Sequence, residues 1–178
     1  PLNMHNAMIN SDSIYFAYTA LNTGRDAFLD FSHRLGMTQS IPFDLAVAPP
    51  QVYNVDEAAG LSAFNLMLLA DSGYGQGEML VTPLQLASMF CLFANGGSIV
   101  TPHIVEGMYC TVDGDYTCAM KAEPGFWREN AVDSHIVDTI GVMLEHVVSR
   151  DYNGTDSSVL WDGGTPKDVT SIGEGATS

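Results

Sequence analysis

The chain has 178 residues, which suits one domain or a large part of one, and 46% of them are hydrophobic, enough for a core. Its formal net charge is −15, from 21 acidic and 6 basic residues, which excludes the clustered Lys and Arg that a nucleic-acid partner requires. The sequence contains no run of about 18 apolar residues, so no transmembrane segment is predicted within it. The spacing of its His and Cys residues fits no metal site, so we expect no metal and no cofactor.

The N-terminal part of the chain is predicted to form three short helices. A polar break at residues 10–13, rich in residues that cap helices, separates a helix over 2–9 from a second over 14–21. The third opens near Thr23 and ends at Gly36, a residue typical of helix C-termini.

The most informative stretch covers residues 73–97 and reads GYGQGEMLVTPLQLASMFCLFANGG. Its three alternating glycines predict backbone that turns tightly or lies close to a neighbour. Thr82 and Gln85 fit a capping box, in which Gln85 reaches back to the cap. The run that follows is apolar nearly all round, so we expect a buried helix over 84–94 with Phe90 in the core.

Two strands of a small hairpin are predicted over 99–109 and 116–120. If residues 113–115 form a three-residue loop, Cys110 and Cys118 fall directly opposite each other. A structural disulfide between them can then form in an oxidising compartment, and two free thiols are the alternative.

The clearest amphipathic helix is predicted over 133–150. Residues 39–61, with three prolines, and 151–178, rich in small polar residues, are predicted to be loops, the second with a possible strand over 169–172. The elements together predict a mainly α fold with a small β-hairpin.

The stretch over 73–97 resembles the G-x-G-Q-G…TPLQLA…ANGG segment of penicillin-binding protein transpeptidase domains. These acyl-serine enzymes cross-link peptidoglycan, and the closest resemblance is to their class B. It covers roughly residues 2–150 and implies part of the α+β acyl-serine transpeptidase and serine β-lactamase-like fold. We therefore expect a partial transpeptidase domain over 1–178, with a helical part and hairpin at 2–150 and a loop with a possible strand at 151–178.

The corner Ser11-Asp12-Ser13 resembles the family's S-x-N motif, which precedes a hydrophobic-aromatic helix start. The resemblance implies that Ser11 is catalytic and helps pass a proton to the leaving amine. Ser13 stands where the family has asparagine, a departure, because a serine is shorter and has a single polar oxygen, whereas an amide donates and accepts through two separate atoms. Ordinary helix capping is the alternative interpretation of this corner.

The family's K-T-G strand, whose lysine and threonine hold the substrate carboxylate, is expected after the long amphipathic helix. Residues 173–178 are the candidate, which makes Glu174 and Thr177 the candidate substrate-binding residues. Glu174 replaces the lysine and reverses a charge that should attract a carboxylate. A flexible tail is the alternative interpretation.

The family's nucleophile lies in an S-x-x-K motif, whose lysine activates the serine. The sequence contains no S-x-x-K, and its only lysines are Lys121 and Lys167. We therefore expect either a C-terminal fragment of a longer protein or a relative that has lost the nucleophile.

The first functional hypothesis is a portion of a D,D-transpeptidase that acts on D-alanyl-D-alanine stems and binds β-lactams, with this chain alone inactive. A non-catalytic module that binds cell-wall peptides or partner proteins is the alternative, favoured by Ser13 and Glu174, and a β-lactam sensor domain is a third option. The expected partners are stem peptides or β-lactams in the full-length parent. The expected location is the outer side of the plasma membrane, with an anchor outside this chain.

Overall fold

A computed structural model describes residues 3–53, 65–149 and 152 of the protein, and the backbone alone at 161–162 and 165–166. The described part is mainly helical with short antiparallel strand pairs, as predicted. In chain order its elements are α1 (Met4–Ile9), α2 (Ser13–Thr23), α3 (Arg25–Arg34), α4 (Leu66–Ser72), α5 (Pro83–Phe90), a 3₁₀ turn (Cys91–Phe93), β1 (Ile99–Val100), β2 (Gly107–Val112), β3 (Asp115–Lys121), β4 (Phe126–Arg128), α6 (Ser134–Val147), β5 (Trp161–Asp162) and β6 (Thr165–Pro166).

Helices α2 and α4 pack closely because a glycine ends α4. A β-carbon added at Gly73 would lie 2.6 Å from the carbonyl oxygen of Phe16 and 2.8 Å from Cβ of Ala20, both on α2. The next two glycines of the motif, Gly75 and Gly77, have φ of 78° and 84°, values that side chains disfavour. The prediction of a tight turn and a close approach is therefore confirmed.

The larger hydrophobic cluster lies where α6, the 3₁₀ turn and β1 meet. Its buried members are Leu92, Ile99, Ala131, Val132 and Val137. Gly97 reverses the chain between the turn and β1 with φ of 101°, and an added β-carbon would collide with the carbonyl oxygen of Val132. This site admits only glycine, which explains the end of the A-N-G-G run.

Helix α5 is not the buried helix that its composition predicts. The buried side chains of α5 are the polar Gln85 and Ser88, whereas Phe90 is 51% exposed. Phe90 instead borders what we call the apolar groove, a space of about 260 Å³ between α3, α5 and α6 whose lining is wholly apolar. The expectation that Phe90 is a core residue is therefore wrong.

The start of α5 follows only half of the predicted capping box. Thr82 Oγ1 accepts a hydrogen bond from the Gln85 N–H at 3.2 Å, as expected of a cap. The Gln85 side chain does not reach back, because its Nε2 donates to the carbonyl oxygens of Gly36 at 2.7 Å and Gln39 at 3.0 Å. Gln85 thus fastens α5 to the turn after α3.

Strands β2 and β3 form the predicted hairpin, but with a shorter loop. The strand predicted over 99–109 is wrong in its bounds, because Ile99–Val100 is a separate strand that pairs with β4 and the hairpin strand begins at Gly107. Asp113 and Gly114 make a two-residue turn with φ of 53° and 93°, the type I′ geometry that Asp-Gly favours. Cys110 therefore pairs with Thr117, and Cys118 pairs with Tyr109. Neighbouring residues of a strand point to opposite faces, so the two cysteines do not meet, and both thiols are free. This register matches the alternative of two free thiols and not the candidate disulfide.

Helix α6 confirms the predicted amphipathic helix. The Asp133 carboxylate caps it by accepting the His135 N–H at 2.9 Å, and Val137 is buried. Residues 39–53 are irregular as predicted, and Asp44 ties them to 104–105 by accepting two backbone N–H groups. Strands β5 and β6 form a short pair inside the stretch predicted as loop, whereas the possible strand over 169–172 lies outside the described residues.

Candidate active-site corner

The corner between α1 and α2 is built by two backbone hydrogen bonds at the end of α1. The Ser11 N–H donates to the Met8 carbonyl at 3.1 Å, and the Asp12 N–H donates to the Ala7 carbonyl at 2.9 Å. This pair of bonds is the Schellman arrangement, which places the residue after the helix cap in the left-handed region. Ser11 holds that position with φ of 51°.

A serine in the left-handed region carries backbone strain that glycine avoids. The conformation costs an L-residue roughly 1–2 kcal/mol. Such strain persists where the surrounding structure enforces it, and it clusters at functional sites. The backbone at Ser11 therefore marks this corner independently of its sequence motif.

Asp12, and not either serine, caps α2. Its Oδ1 accepts the Tyr15 N–H at 2.9 Å. Ser13 is the first residue of α2, and both Ser11 and Ser13 are exposed. Helix capping therefore accounts for Asp12. The two candidate catalytic residues, Ser11 and Ser13, both lie at the surface.

Two contacts hold the corner in the fold, and the sequence identified the partner in neither of them. Helix α1 meets α6 through a hydrogen bond between His5 and His146, 2.6 Å from ring nitrogen to ring nitrogen. Helix α2 rests on the C-terminus of α4 at Gly73. The glycine motif of the 73–97 stretch therefore supports the helix that follows the corner.

The remaining candidate residues are two pairs, of which the structure describes one. Glu174 and Thr177, the candidate substrate-binding residues, lie outside the described residues. Cys110 and Cys118 lie on the exposed hairpin. Within the described ranges, no group of three or more His, Cys, Asp or Glu side chains could hold a metal ion, and no helix is long and apolar enough to cross a membrane.

Two side chains outside the corner, those of Asp44 and Tyr74, have pKa values that differ from their ordinary values. Backbone hydrogen bonds from Val105 and Ile104 hold the pKa of Asp44 below its ordinary value of 3.8. A hydrogen bond from the Tyr74 hydroxyl to Asp71, at 2.7 Å, raises the pKa of Tyr74 above 10.0. Both shifts arise from hydrogen bonds that hold local backbone or side chains in place, and neither group belongs to the corner.

Comparison with known families identifies the domain. The family described as penicillin binding protein transpeptidase domain matches residues 1–163. The chain belongs to this family. The resemblance noted from the 73–97 stretch is thereby confirmed for most of the chain.

Individual transpeptidase relatives agree with this assignment. Penicillin-binding protein 3 of Bacillus subtilis is 33% identical over 112 residues, which cover 63% of this chain and 16% of that protein. The peptidoglycan D,D-transpeptidase FtsI homolog of Mesostigma viride is 21% identical over 172 residues, 91% of this chain and 28% of that protein. The chain therefore spans less than a third of the length of these curated relatives.

Solved penicillin-binding proteins share the fold. Penicillin-binding protein A of Mycobacterium tuberculosis, solved also as an imipenem acyl-enzyme complex, superimposes with a TM-score of 0.69 at 20% identity, covering 82% of this chain. Penicillin-binding protein 3 of the same organism, complexed with aztreonam, gives 0.71 at 22% identity and covers 89%. This chain covers 32% and 34% of those two chains. The predicted fold class, part of the transpeptidase fold, is confirmed.

Proposed function

We propose that this chain forms one wall of the active site of a serine-type D,D-transpeptidase, which cross-links peptidoglycan by acyl transfer and binds β-lactams. The observation that carries this function is the exposed, left-handed Ser11 at the α1–α2 corner, in a chain of the transpeptidase family. Nothing in the capping of α2 requires a serine there, because Asp12 makes the cap.

The chemistry assigned to the corner is proton transfer. A nucleophilic serine attacks the carbonyl carbon of the penultimate D-alanine, an acyl-enzyme ester forms, and the terminal D-alanine leaves as an amine that needs a proton. A hydroxyl at the corner can donate its proton to that amine while it takes the proton of the attacking serine. We assign this relay to Ser11 and a single orienting hydrogen bond to Ser13.

The nucleophile is assigned to polypeptide outside the printed sequence, since the chain has no S-x-x-K. The apolar groove supports a partial domain, because Phe90 and Ile136 along it are 51% and 50% exposed. Exposed apolar patches mark surfaces that pack against another part or partner. We assign the groove to the rest of the transpeptidase domain, which the solved relatives contain and which this chain, at about a third of their length, does not span.

The location follows from the same assignment. A peptidoglycan transpeptidase meets its substrate on the outer side of the plasma membrane. We therefore place the chain there, anchored by a segment outside residues 1–178.

Acylation of the whole protein by a fluorescent penicillin tests the role of Ser11. Ser11→Ala should lower the acylation rate by about 10²–10⁴-fold, the usual worth of a positioned proton-transfer group. Ser134→Ala is the matched control, because Ser134 is also an exposed serine at the start of a helix. Equal acylation rates in Ser11→Ala, Ser134→Ala and the wild type would remove Ser11 from the mechanism.

A non-catalytic module that binds cell-wall peptides is the second candidate. Ser13 in place of asparagine and Glu174 in place of lysine favour it, because both weaken the contacts that hold a stem peptide for reaction. The two functions separate in one assay on the whole protein. A stem peptide that binds in calorimetry, with no covalent penicillin adduct on a denaturing gel, would support the module and exclude the transpeptidase.

A further inference from the structure

A pair of histidines joins α1 to α6 at the end of α1 opposite the Ser11 corner. Nε2 of His5 and Nδ1 of His146 lie 2.6 Å apart in a partly buried contact. The two residues are 141 positions apart in the sequence. The Tyr152 ring stacks on His146 at 3.7 Å between centroids and meets His5 edge-on at 5.8 Å. The three rings form one small cluster where α1 meets the end of α6.

This contact exists only when one of the two facing nitrogens is bare. A neutral imidazole carries a proton on one ring nitrogen and a lone pair on the other, whereas a charged imidazole has N–H groups on both. One N–H can therefore donate to one lone pair across the 2.6 Å gap. When both rings are charged, two N–H groups and two positive charges face each other, and the contact must open.

The last turn of α6 favours one positive charge, on His146, but the described surroundings offer no carboxylate partner for a second. Helix α1 contains no Asp or Glu, and on α6 Glu145 adjoins His146 but is exposed. Asp12, at the far end of α1, already accepts the Tyr15 N–H. Among the described residues, neither imidazole makes an ion pair.

We propose that the His5–His146 pair is a pH-sensitive latch that holds α1 against α6 and thereby positions Ser11. The short helix α1 carries His5 near its start and leads into Ser11 at its end, so release of His5 loosens the Ser11 backbone. Histidine is the side chain whose charge ordinarily changes near physiological pH, so a contact between two histidines responds to acidification. Its effect on acylation rests on the proposed function, whereas the latch itself does not.

The direction of the pH dependence follows from proton counting. The closed latch accommodates at most one charged imidazole, whereas two separated histidines are both charged in acid, so in acid the closed latch binds fewer protons and its stability decreases as the pH falls. The latch is closed at neutral pH and opens on acidification. His5 and His146 are thus positioning residues and do not contact the substrate.

The test uses variants that keep the hydrogen bond but do not titrate. A glutamine amide can replace Nε2 of His5 and an asparagine amide can replace Nδ1 of His146, because each places a polar atom at the same reach. The double variant His5→Gln/His146→Asn should keep α1 docked at both pH values, and His5→Ala should undock it at both. His135→Asn is the matched control, since His135 lies exposed on the same helix as His146.

Hydrogen–deuterium exchange of a peptide covering residues 3–12 in the whole protein measures docking directly. After correction for intrinsic exchange, wild type and His135→Asn should lose at least about tenfold of their protection between about pH 7.5 and about pH 5. The double variant should show no such loss. Equal protection of the wild type at both pH values, or the same loss in the double variant, would overturn the latch.

Acylation of the same proteins separates the latch from the proposed function. An acid-side fall in acylation rate that the double variant abolishes would support both. If exchange shows the latch while Ser11→Ala acylates normally, the latch stands and the role of Ser11 fails. If Ser11→Ala is slow but protection of α1 does not depend on pH, the latch fails and the role of Ser11 stands.

Discussion

At the scale of single residues, the backbone of Ser11 carries more information than its side-chain type. Serine and aspartate at a helix corner are common, so the motif alone left capping as an alternative. The structure assigns the cap to Asp12 and leaves Ser11 in a conformation that glycine would adopt at no cost. A residue kept there despite strain is typical of a functional position.

Ser11→Gly should therefore stabilise the protein. Relief of the left-handed strain contributes roughly 1–2 kcal/mol, and the greater freedom of glycine in the unfolded chain offsets about 0.5–1 kcal/mol of it. Denaturant unfolding should show a net gain of about 0.5–1 kcal/mol. Ser13→Gly, within the first turn of α2, should instead lose stability. A loss for Ser11→Gly as large as that for Ser13→Gly would contradict the strain at the corner.

Asp44→Asn should change how one loop responds to acid. The folded pKa of Asp44 lies below its unfolded value, so its contribution to stability is present above the unfolded pKa and is lost as the pH falls through the folded one. The amide exchange rate of Val105, measured by NMR, should rise in the variant near neutral pH. The difference between variant and wild type should shrink as the pH falls through the folded pKa of Asp44, because the carboxylate then loses its charge.

Asp30→Asn is the control, because Asp30 is exposed on α3, far along the chain from residues 104–105. It should leave Val105 exchange unchanged. A variant difference in Val105 exchange that persists undiminished as the pH falls through the folded pKa of Asp44 would show that the charge of Asp44 is not what holds the loop.

At the scale of elements, α5 shows why an apolar composition did not predict burial. An all-round apolar helix buries itself only when its neighbours surround it, and α5 meets the described part of the fold along one side. That side carries Gln85, which bonds to Gly36 and Gln39, while Phe90 faces the apolar groove. The polar residue is buried because it satisfies backbone carbonyls at a distance in the chain.

Gly73→Ala should be destabilising because of the α2–α4 contact. The new β-carbon would lie 2.6 Å from a backbone oxygen of α2, which cannot rotate away as a side chain could. Overpacking of this kind costs about 1–3 kcal/mol, measured as a lower denaturant midpoint.

Gly141→Ala gives the matched control for Gly73→Ala. Gly141 lies within α6, and nothing stands within 4 Å of an added β-carbon. Alanine there should stabilise by about 0.5–1 kcal/mol through helix propensity alone. Two shifts of the same sign and size would show that the approach of α4 to α2 is not tight.

At the scale of the whole molecule, family membership and partial length both favour the proposal that this chain is part of a larger transpeptidase domain. The chain matches the transpeptidase family over residues 1–163 but spans only 16% to 28% of the curated relatives named above. Its apolar groove and its lack of S-x-x-K are both accounted for when the rest of the domain supplies a packing surface and a nucleophile.

The 178-residue chain alone should therefore form no covalent adduct with a fluorescent penicillin. Acylation requires an activated serine, and no serine of this chain has a lysine three positions on. A denaturing gel of the chain beside the whole protein measures this directly. A stoichiometric fluorescent band for the chain would show that one of its own serines, Ser11 first among them, is the nucleophile.

The sequence by itself determined the features whose partners lie within a few residues. These features each depend on a hydrogen bond, a dihedral preference or a periodicity that is local in the chain. They are the caps at Thr82 and Asp133, the turns at Gly75 and Gly77, and the span of α6. The motif over 73–97 also sufficed to indicate the family. The error at the hairpin was local too, because Asp-Gly favours a two-residue turn over the three-residue loop assumed for Cys110 and Cys118.

Only the tertiary structure decided the contacts between residues far apart in the chain. Gln85 bonds to a carbonyl 49 positions away, and His5 meets His146 across 141 positions. Neither a glutamine nor a histidine in a sequence predicts such a partner, because the energy of each contact depends on where whole helices pack. The strain at Ser11 and the exposure of Phe90 likewise follow from packing, since a φ angle or a buried area exists only once the surrounding backbone is in place.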